Sequence, residues 1–135
     1  QIFTYYEIFY GVNFKFKVTY NYSFRIFDSL EFLENISQYK EKYTFSELYK
    51  HIEYEINAHF LSFISKCILS KKISLLEFNS NTLEFSSAFT EYCNNELFNK
   101  SGIKIMDFNF VNINFLEDEH LLFIKITYQI SNFYI

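Results

Sequence analysis

The sequence predicts an α+β domain: an antiparallel or mixed sheet with two longer amphipathic helices packed on one face. Three observations predict it. Residues 12–27 alternate strictly, with Phe14, Phe16, Val18, Tyr20, Tyr22, Phe24 and Ile26 on one side and Lys15, Lys17, Thr19, Asn21, Ser23 and Arg25 on the other. Two later stretches, 45–70 and 82–100, carry apolar residues three or four apart. Residues 103–115 then return to a strand-like run.

Residues 2–10, IFTYYEIFY, are rich in aromatic and β-branched side chains and stop at Gly11, which predicts a first strand joined to 12–27 as an antiparallel hairpin. The long strand ends at Asp28. Asp28-Ser29-Leu30-Glu31 puts an N-cap acceptor and a first-turn acid ahead of a short helix, with Leu30, Leu33 and Ile36 facing inward. SQYKEKY (37–43) reads as a polar loop.

Thr44-Phe45-Ser46-Glu47 is a capping box that opens the first long helix. Its inward stripe is Phe45, Leu48, Tyr49, Ile52, Ile56, Phe60, Phe63, Ile64 and Cys67, while Glu47, Lys50, Glu53, Asn57 and Lys66 fall elsewhere on the wheel. KKISLLEFNS (71–80) is a linker anchored by Ile73, Leu75 and Leu76. Asn81 and Glu84 repeat the capping pattern for a second helix with the stripe Phe85, Ala88, Phe89, Tyr92, Cys93 and Leu97, closed by Gly102 as a C′ residue. In IKIMDFNFVNINF (103–115) the alternation slips between Phe110 and Val111, which means a bulge or a strand covered on both faces. The tail, 117–135, fits either a strand or a helix, and the acids at 117–119 suit a helix N-terminus.

The chain has 135 residues, enough for one domain with a real core. It opens on Gln1, and its lone methionine is Met106, so it reads as a piece of a longer polypeptide. The 19 Phe and 12 Tyr, with abundant Ile, Asn and Lys and no Pro or Trp, are the composition of an AT-rich genome, so an aromatic stripe carries less functional weight than usual. A net charge of −4 argues against a general nucleic-acid binder. No apolar run is long enough to span a bilayer. Cys67 and Cys93 fall on the apolar sides of the two helices and read as reduced, buried thiols of a cytosolic protein.

Chemistry is sparse. Two isolated glycines, Gly11 and Gly102, exclude the dinucleotide-binding GxGxxG, the Walker A loop and the nucleophile elbow. Glu55 and His59 share a helix face, but neither His51 nor His120 completes a recognisable zinc pattern with them. Glu117, Asp118, Glu119 and His120 lack the spacing of a calcium loop. Lys15, Lys17 and Arg25 interleave with aromatics as in a base-stacking sheet, yet alternation puts cations and rings on opposite faces. No catalytic, cofactor-binding or metal-binding residue is expected.

In Tyr22-Ser23-Phe24-Arg25-Ile26-Phe27-Asp28-Ser29-Leu30-Glu31-Phe32-Leu33, the opening at Thr44-Phe45-Ser46-Glu47-Leu48, the run Gly102-Ile103-Lys104-Ile105-Met106-Asp107-Phe108 and the exit Phe115-Leu116-Glu117-Asp118, the order and spacing of motifs resemble the SPFH (band 7, prohibitin-homology) domain. The virion-core-protein-like bacterial branch is the most similar. The chain departs from that pattern at Ser29 and Leu116, where prolines are expected. The resemblance implies an SPFH-like domain over 1–116, with its N-terminal part missing, and a tail over 117–135 that leads out of it as a helix. It implies a non-catalytic, membrane-associated scaffold, cytoplasmic and peripheral to the membrane, that forms homo-oligomers and organises partner proteins, in membrane-stress response. Attachment would come through other segments or a partner such as a phage-shock protein A-like protein, with no cofactor and no nucleic acid. The alternative is an unrelated α+β ligand-binding or adaptor domain, which a deep polar-studded pocket would favour.

Overall fold

Val12–Ile26 forms the middle strand, β2, of a three-stranded antiparallel sheet in the computed structural model, which describes residues 2–7 and 11–116. β1 (Ile2–Glu7) pairs with its first part, Ile2 opposite Lys17 and Glu7 opposite Val12. Gly11 lies in the connection with φ +65°, where a side chain would be strained. β3 (Ile103–Phe115) lies on the other side of β2, running from Ile103 opposite Ile26 to Phe115 opposite Phe16.

The pairing of β2 with β3 slips twice. Thr19 faces Asn112 while Tyr20 faces Phe110, and Ser23 faces Asp107 while Phe24 faces Ile105. Val111 and Met106 are therefore the extra residues of two β-bulges, and both side chains are turned outward. The first is the slip expected from the sequence. Together the two keep Ile103, Ile105, Phe108, Phe110 and Ile113 all on the inner face despite two changes of parity.

The even residues of β2 point inward as expected, from the fully buried Phe14 and Phe16 to the partly buried Phe24. Ile26 is the exception, 42% exposed, because the covering helix begins level with Phe24: the Phe24 and Phe45 rings stack at 6.1 Å. The odd residues face outward and are exposed.

At the end of β2 the Glu31 amide donates to Asp28 Oδ1 at 3.1 Å and starts α1 (Ser29–Phe32), which runs into a wide π-helical turn over Leu33–Ser37. The inward residue is Phe32; Leu30, at 61% exposed, and Leu33 face solvent, contrary to the sequence reading. Close packing of Phe32 against the Gly102 backbone sets the rotation of this helix, which its own sequence pattern does not specify.

α2 (Phe45–Lys71) lies across the inner face and buries Leu48, Ile52, Ile56, Phe60, Phe63, Ile64 and Ile68. Phe45 and Tyr49, read as inward, overhang the end of the sheet and are largely exposed, stacking on Phe24 and Tyr22. The Glu47 amide donates to Thr44 Oγ1 at 3.1 Å, and the Glu47 carboxylate lies 3.7 Å from Lys40 Nζ. Thr44→Ala is expected to cost about 1 kcal/mol, the usual loss for an N-cap acceptor. Chemical denaturation of the two proteins checks it, and an unchanged midpoint would mean that water replaces the cap without penalty.

The segment before the next helix is ordered as a 3₁₀ turn, Leu75–Ser80, with Ser74 Oγ accepting from the Leu76 amide at 3.1 Å. A period of three aligns Leu75 with Phe78, so these two are buried and Leu76, expected as an anchor, is partly exposed. α3 (Thr82–Tyr92) follows and passes into a second π-helical turn, Cys93–Leu97. The Asn81 side chain does not cap it; its amide donates to the Glu77 carbonyl at 2.8 Å. Because the helical run ends at Leu97, Gly102 is not its C′ residue but a turn residue beside α1.

α2 and α3 share the inner face, so the described residues form two layers, sheet and helices, with an aromatic core between them. Phe89 lies at its centre, 4.7 Å from Phe63, 4.7 Å from Phe108 and 5.4 Å from Phe110 by ring centroids. The outer edge of β3 is closed by side chains from the helical layer. Asn94 exchanges two bonds with the Ile105 backbone (2.8 and 2.9 Å), Asn79 exchanges two with Ile113 (2.7 and 3.1 Å), and Ser86 Oγ accepts from the Phe110 amide at 2.9 Å. Each asparagine amide pairs with one residue's N–H and C=O, as a neighbouring strand would.

Candidate functional site

The corner singled out in the sequence, Asp28, is built together with Gly102. The Phe27 and Asp28 amides donate to the Gly102 carbonyl at 2.9 and 3.3 Å, while Asp28 caps α1. Gly102 has φ +75°, and a Cβ there would lie 2.2 Å from the Asp28 carbonyl oxygen and 2.7 Å from the Phe32 nitrogen. The two motifs that lie far apart in the chain thus meet as one joint between β2, α1 and β3. Its polar groups are spent on the backbone, and it is a structural corner.

The richest polar cluster on the inner face was not expected from the sequence. Glu53, placed away from the sheet on the helical wheel, turns toward it. Tyr20 Oη donates to Glu53 Oε2, and Tyr22 Oη donates to Glu53 Oε1 at 3.2 Å. The Tyr22 ring stacks on Tyr49 at 6.1 Å and on Phe108 at 6.0 Å. Two half-buried phenols in the sheet need an acceptor, and the helix supplies one. Burial, followed by the hydrogen bond and negative charge of Glu53, holds the Tyr20 phenol well above the ordinary tyrosine range. Burial and then the Glu53 charge do the same for Tyr22. Glu53 thus accepts from two firmly protonated phenols, which ties α2 to β2, and the phenols are not activated nucleophiles. Beside it an open cleft of about 310 Å³ is lined by Phe3, Val18, Thr19, Tyr20, Glu53 and Asn57.

The residues weighed from the sequence do not converge. Glu55 and His59 form an i,i+4 contact of 3.6 Å along α2, and His51 lies elsewhere on the same helix. Among the described residues no group of three or more His, Cys, Asp and Glu is placed to hold a metal ion. Glu117, Asp118, Glu119 and His120 lie outside the described residues, as does the tail 117–135 whose strand or helix character the sequence left open. Cys67 and Cys93 are both free thiols; Cys93 is fully buried as expected and burial pushes its thiol up to about 12, whereas Cys67 is only partly buried. Lys15, Lys17 and Arg25 stand on the outer face of the sheet and the β2 aromatics on the inner one, so no base-stacking platform forms there. A second cleft of about 310 Å³, at the end of β2, is lined by Arg25, Phe27, Asn94, Phe98, Asn99, Ile103 and Lys104. Among the described residues no helix is long and apolar enough to cross a membrane.

The model of a family described as SPFH domain-Band 7 family matches residues 10–127, most of the chain and all of its described sheet and helices from β2 onward. No curated protein matches the chain, and no solved structure does.

Proposed function

The chain belongs to the SPFH domain-Band 7 family, and from that membership we propose that it is a non-catalytic scaffold module that organises partner proteins at a membrane. The match over residues 10–127 carries this reading. The geometry is compatible with it: the two motifs that build the corner, around Asp28 and Gly102, hold elements together rather than present reactive groups. In this reading the protein is peripheral to the membrane on its cytoplasmic side, and self-association gives many weak contacts combined strength. The similarity of its motifs to the virion-core-protein-like branch favours a membrane-stress role with a phage-shock protein A-like partner.

The test is sedimentation of residues 1–135 with neutral and anionic vesicles, beside the natural full-length polypeptide with and without that partner. The short chain is expected to pellet weakly, because it has few contacts to offer on its own, and the full-length protein strongly. Tight pelleting of the short chain alone would overturn the division of labour. A full-length protein that stays in the supernatant even with its partner would sink the membrane role.

A further inference from the structure

The net charge of −4 conceals an uneven distribution. Among the described side chains, the outer face of the sheet presents Lys15 and Lys17 from β2, and Arg25 with Lys104 from the β2–β3 pair, against the single acid Asp107. The other acids among the described side chains sit on helices, on their caps and in connecting loops, on the far side or at the margins of the molecule. None of these four cations has an acid within ion-pair distance among the described residues. Arg25 and Lys104 are also direct cross-strand partners. Like charges placed opposite one another on a sheet repel, and an anion between them removes that repulsion.

Between the cations the same face is polar, with Thr19, Asn21 and Ser23 of β2 turned outward beside Asn109 of β3, and its apolar side chains lie on the two outer strands. Ile2 and Tyr6 of β1 project from it, and the two bulge residues of β3, Met106 and Val111, are exposed; the four are between 42% and 56% exposed. Each bulge adds a residue to β3 that the ladder with β2 does not require, and both added residues carry an apolar side chain outward. Among the described residues no element packs on this side, since α1, α2 and α3 all lie at the other face or at the corner.

Cations at both ends of a polar sheet face, with exposed apolar side chains on its two outer strands, match the chemistry of an anionic lipid surface, where phosphates meet the cations and the apolar tips enter the headgroup boundary. We propose that the outer face of the sheet, through Lys15, Lys17, Arg25 and Lys104 with Met106 and Val111, is the surface this domain turns toward an anionic bilayer. This rests on the scaffold reading and adds an orientation to it: sheet toward lipid, helices toward the interior and toward partners. A few cations make a weak contact for one copy and a firm one for an array.

The experiment measures partition of residues 1–135 onto vesicles of phosphatidylglycerol and phosphatidylcholine at about 50 mM salt, where surface charges are least screened. The unaltered chain is expected to bind weakly but measurably to anionic vesicles, to release at about 500 mM salt, and to ignore pure phosphatidylcholine. Lys15→Gln with Lys17→Gln should lower the partition coefficient about thirtyfold, since each cation near the surface is worth about fivefold. Arg25→Gln with Lys104→Gln should act alike, and Met106→Ser with Val111→Ser should weaken binding without changing its salt dependence. Lys66→Gln with Lys72→Gln, on the helical side, should change it less than twofold. Thermal melts verify that each variant is folded. No binding by the unaltered chain, equal loss from the helical-side pair, or preferential capture of the face by a short oligonucleotide would each overturn the proposal. The oligomer mass and partner binding of the full-length protein are measured separately, so the face can fail while the scaffold reading stands, or the reverse.

Discussion

Gly102→Ala is expected to cost about 3 kcal/mol of folding stability, whereas Gly11→Ala costs about 1 kcal/mol. Both glycines have positive φ, +75° and +65°, so an alanine at either pays a similar backbone penalty. They differ in what surrounds them. Among the described residues, a Cβ on Gly11 meets only the Tyr6 hydroxyl at 3.6 Å, an ordinary contact at the end of a flexible side chain. At Gly102 it meets main-chain atoms at 2.2 and 2.7 Å, and these belong to the Asp28 carbonyl and the Phe32 amide, which α1 has already fixed. Relief requires moving α1 away from β3, which stretches the bonds from the Phe27 and Asp28 amides to the Gly102 carbonyl. The melting temperature should fall by roughly 10–15 °C for Gly102→Ala and by roughly 3–5 °C for Gly11→Ala. Similar melting temperatures for the two variants would show that the corner yields easily and that α1 is only loosely attached.

The largest effect is expected at Phe89. It is fully buried, its ring touches those of Phe60, Phe63, Tyr92, Phe108 and Phe110, and it joins α2, α3 and β3 at one point. Truncation to alanine removes most of a ring's buried area and leaves a cavity whose walls are themselves rings, stiff and slow to collapse into it. The cost is about 4 kcal/mol, enough to lower the melting temperature by roughly 12–20 °C. Phe45→Ala is the internal comparison, with its ring 70% exposed at the overhanging start of α2, and should cost under about 1 kcal/mol. Denaturant titration of both variants separates a packed aromatic core from a merely phenylalanine-rich composition. Equal losses at the two positions would mean that Phe45 is covered in solution.

What the sequence revealed and what it withheld follow from how each feature is encoded. The register of β2 was legible because a period of two leaves no choice of face, and the bulge at Val111 was legible because it visibly breaks that period. The bulge at Met106 went unseen: methionine is apolar, so Ile103-Lys104-Ile105-Met106 shows no obvious fault, and the change of parity appears only when Phe108 is compared with Ile105. The rotation of α1 could not be read, because four residues and a π-helical turn hold no stable wheel and Gly102, far along the chain, decides which side faces in. Glu53 was misplaced for a related reason. A helical wheel sorts side chains by polarity, and an acid that answers two phenols of a strand violates that sorting only once the strand is known to be beneath it. The basic face was hidden by arithmetic: a net charge adds up what the fold keeps apart.

The closed edge of β3 has a consequence for how copies of this chain can combine. Continuous growth by strand addition needs a donor edge and an acceptor edge on every copy, since each sheet must extend in two directions. Here one of the two is stoppered by Asn79, Ser86 and Asn94, whose bonds to β3 a newcomer would have to displace. Whatever takes place on the β1 side, a sheet with one stoppered edge can be joined once and then stops. Two copies can meet edge to edge, but a third finds no place, so an extended array of this chain cannot be a ribbon of merged sheets. Side-chain amides in a helical layer thereby set an upper limit of two on the copies that a shared sheet can contain.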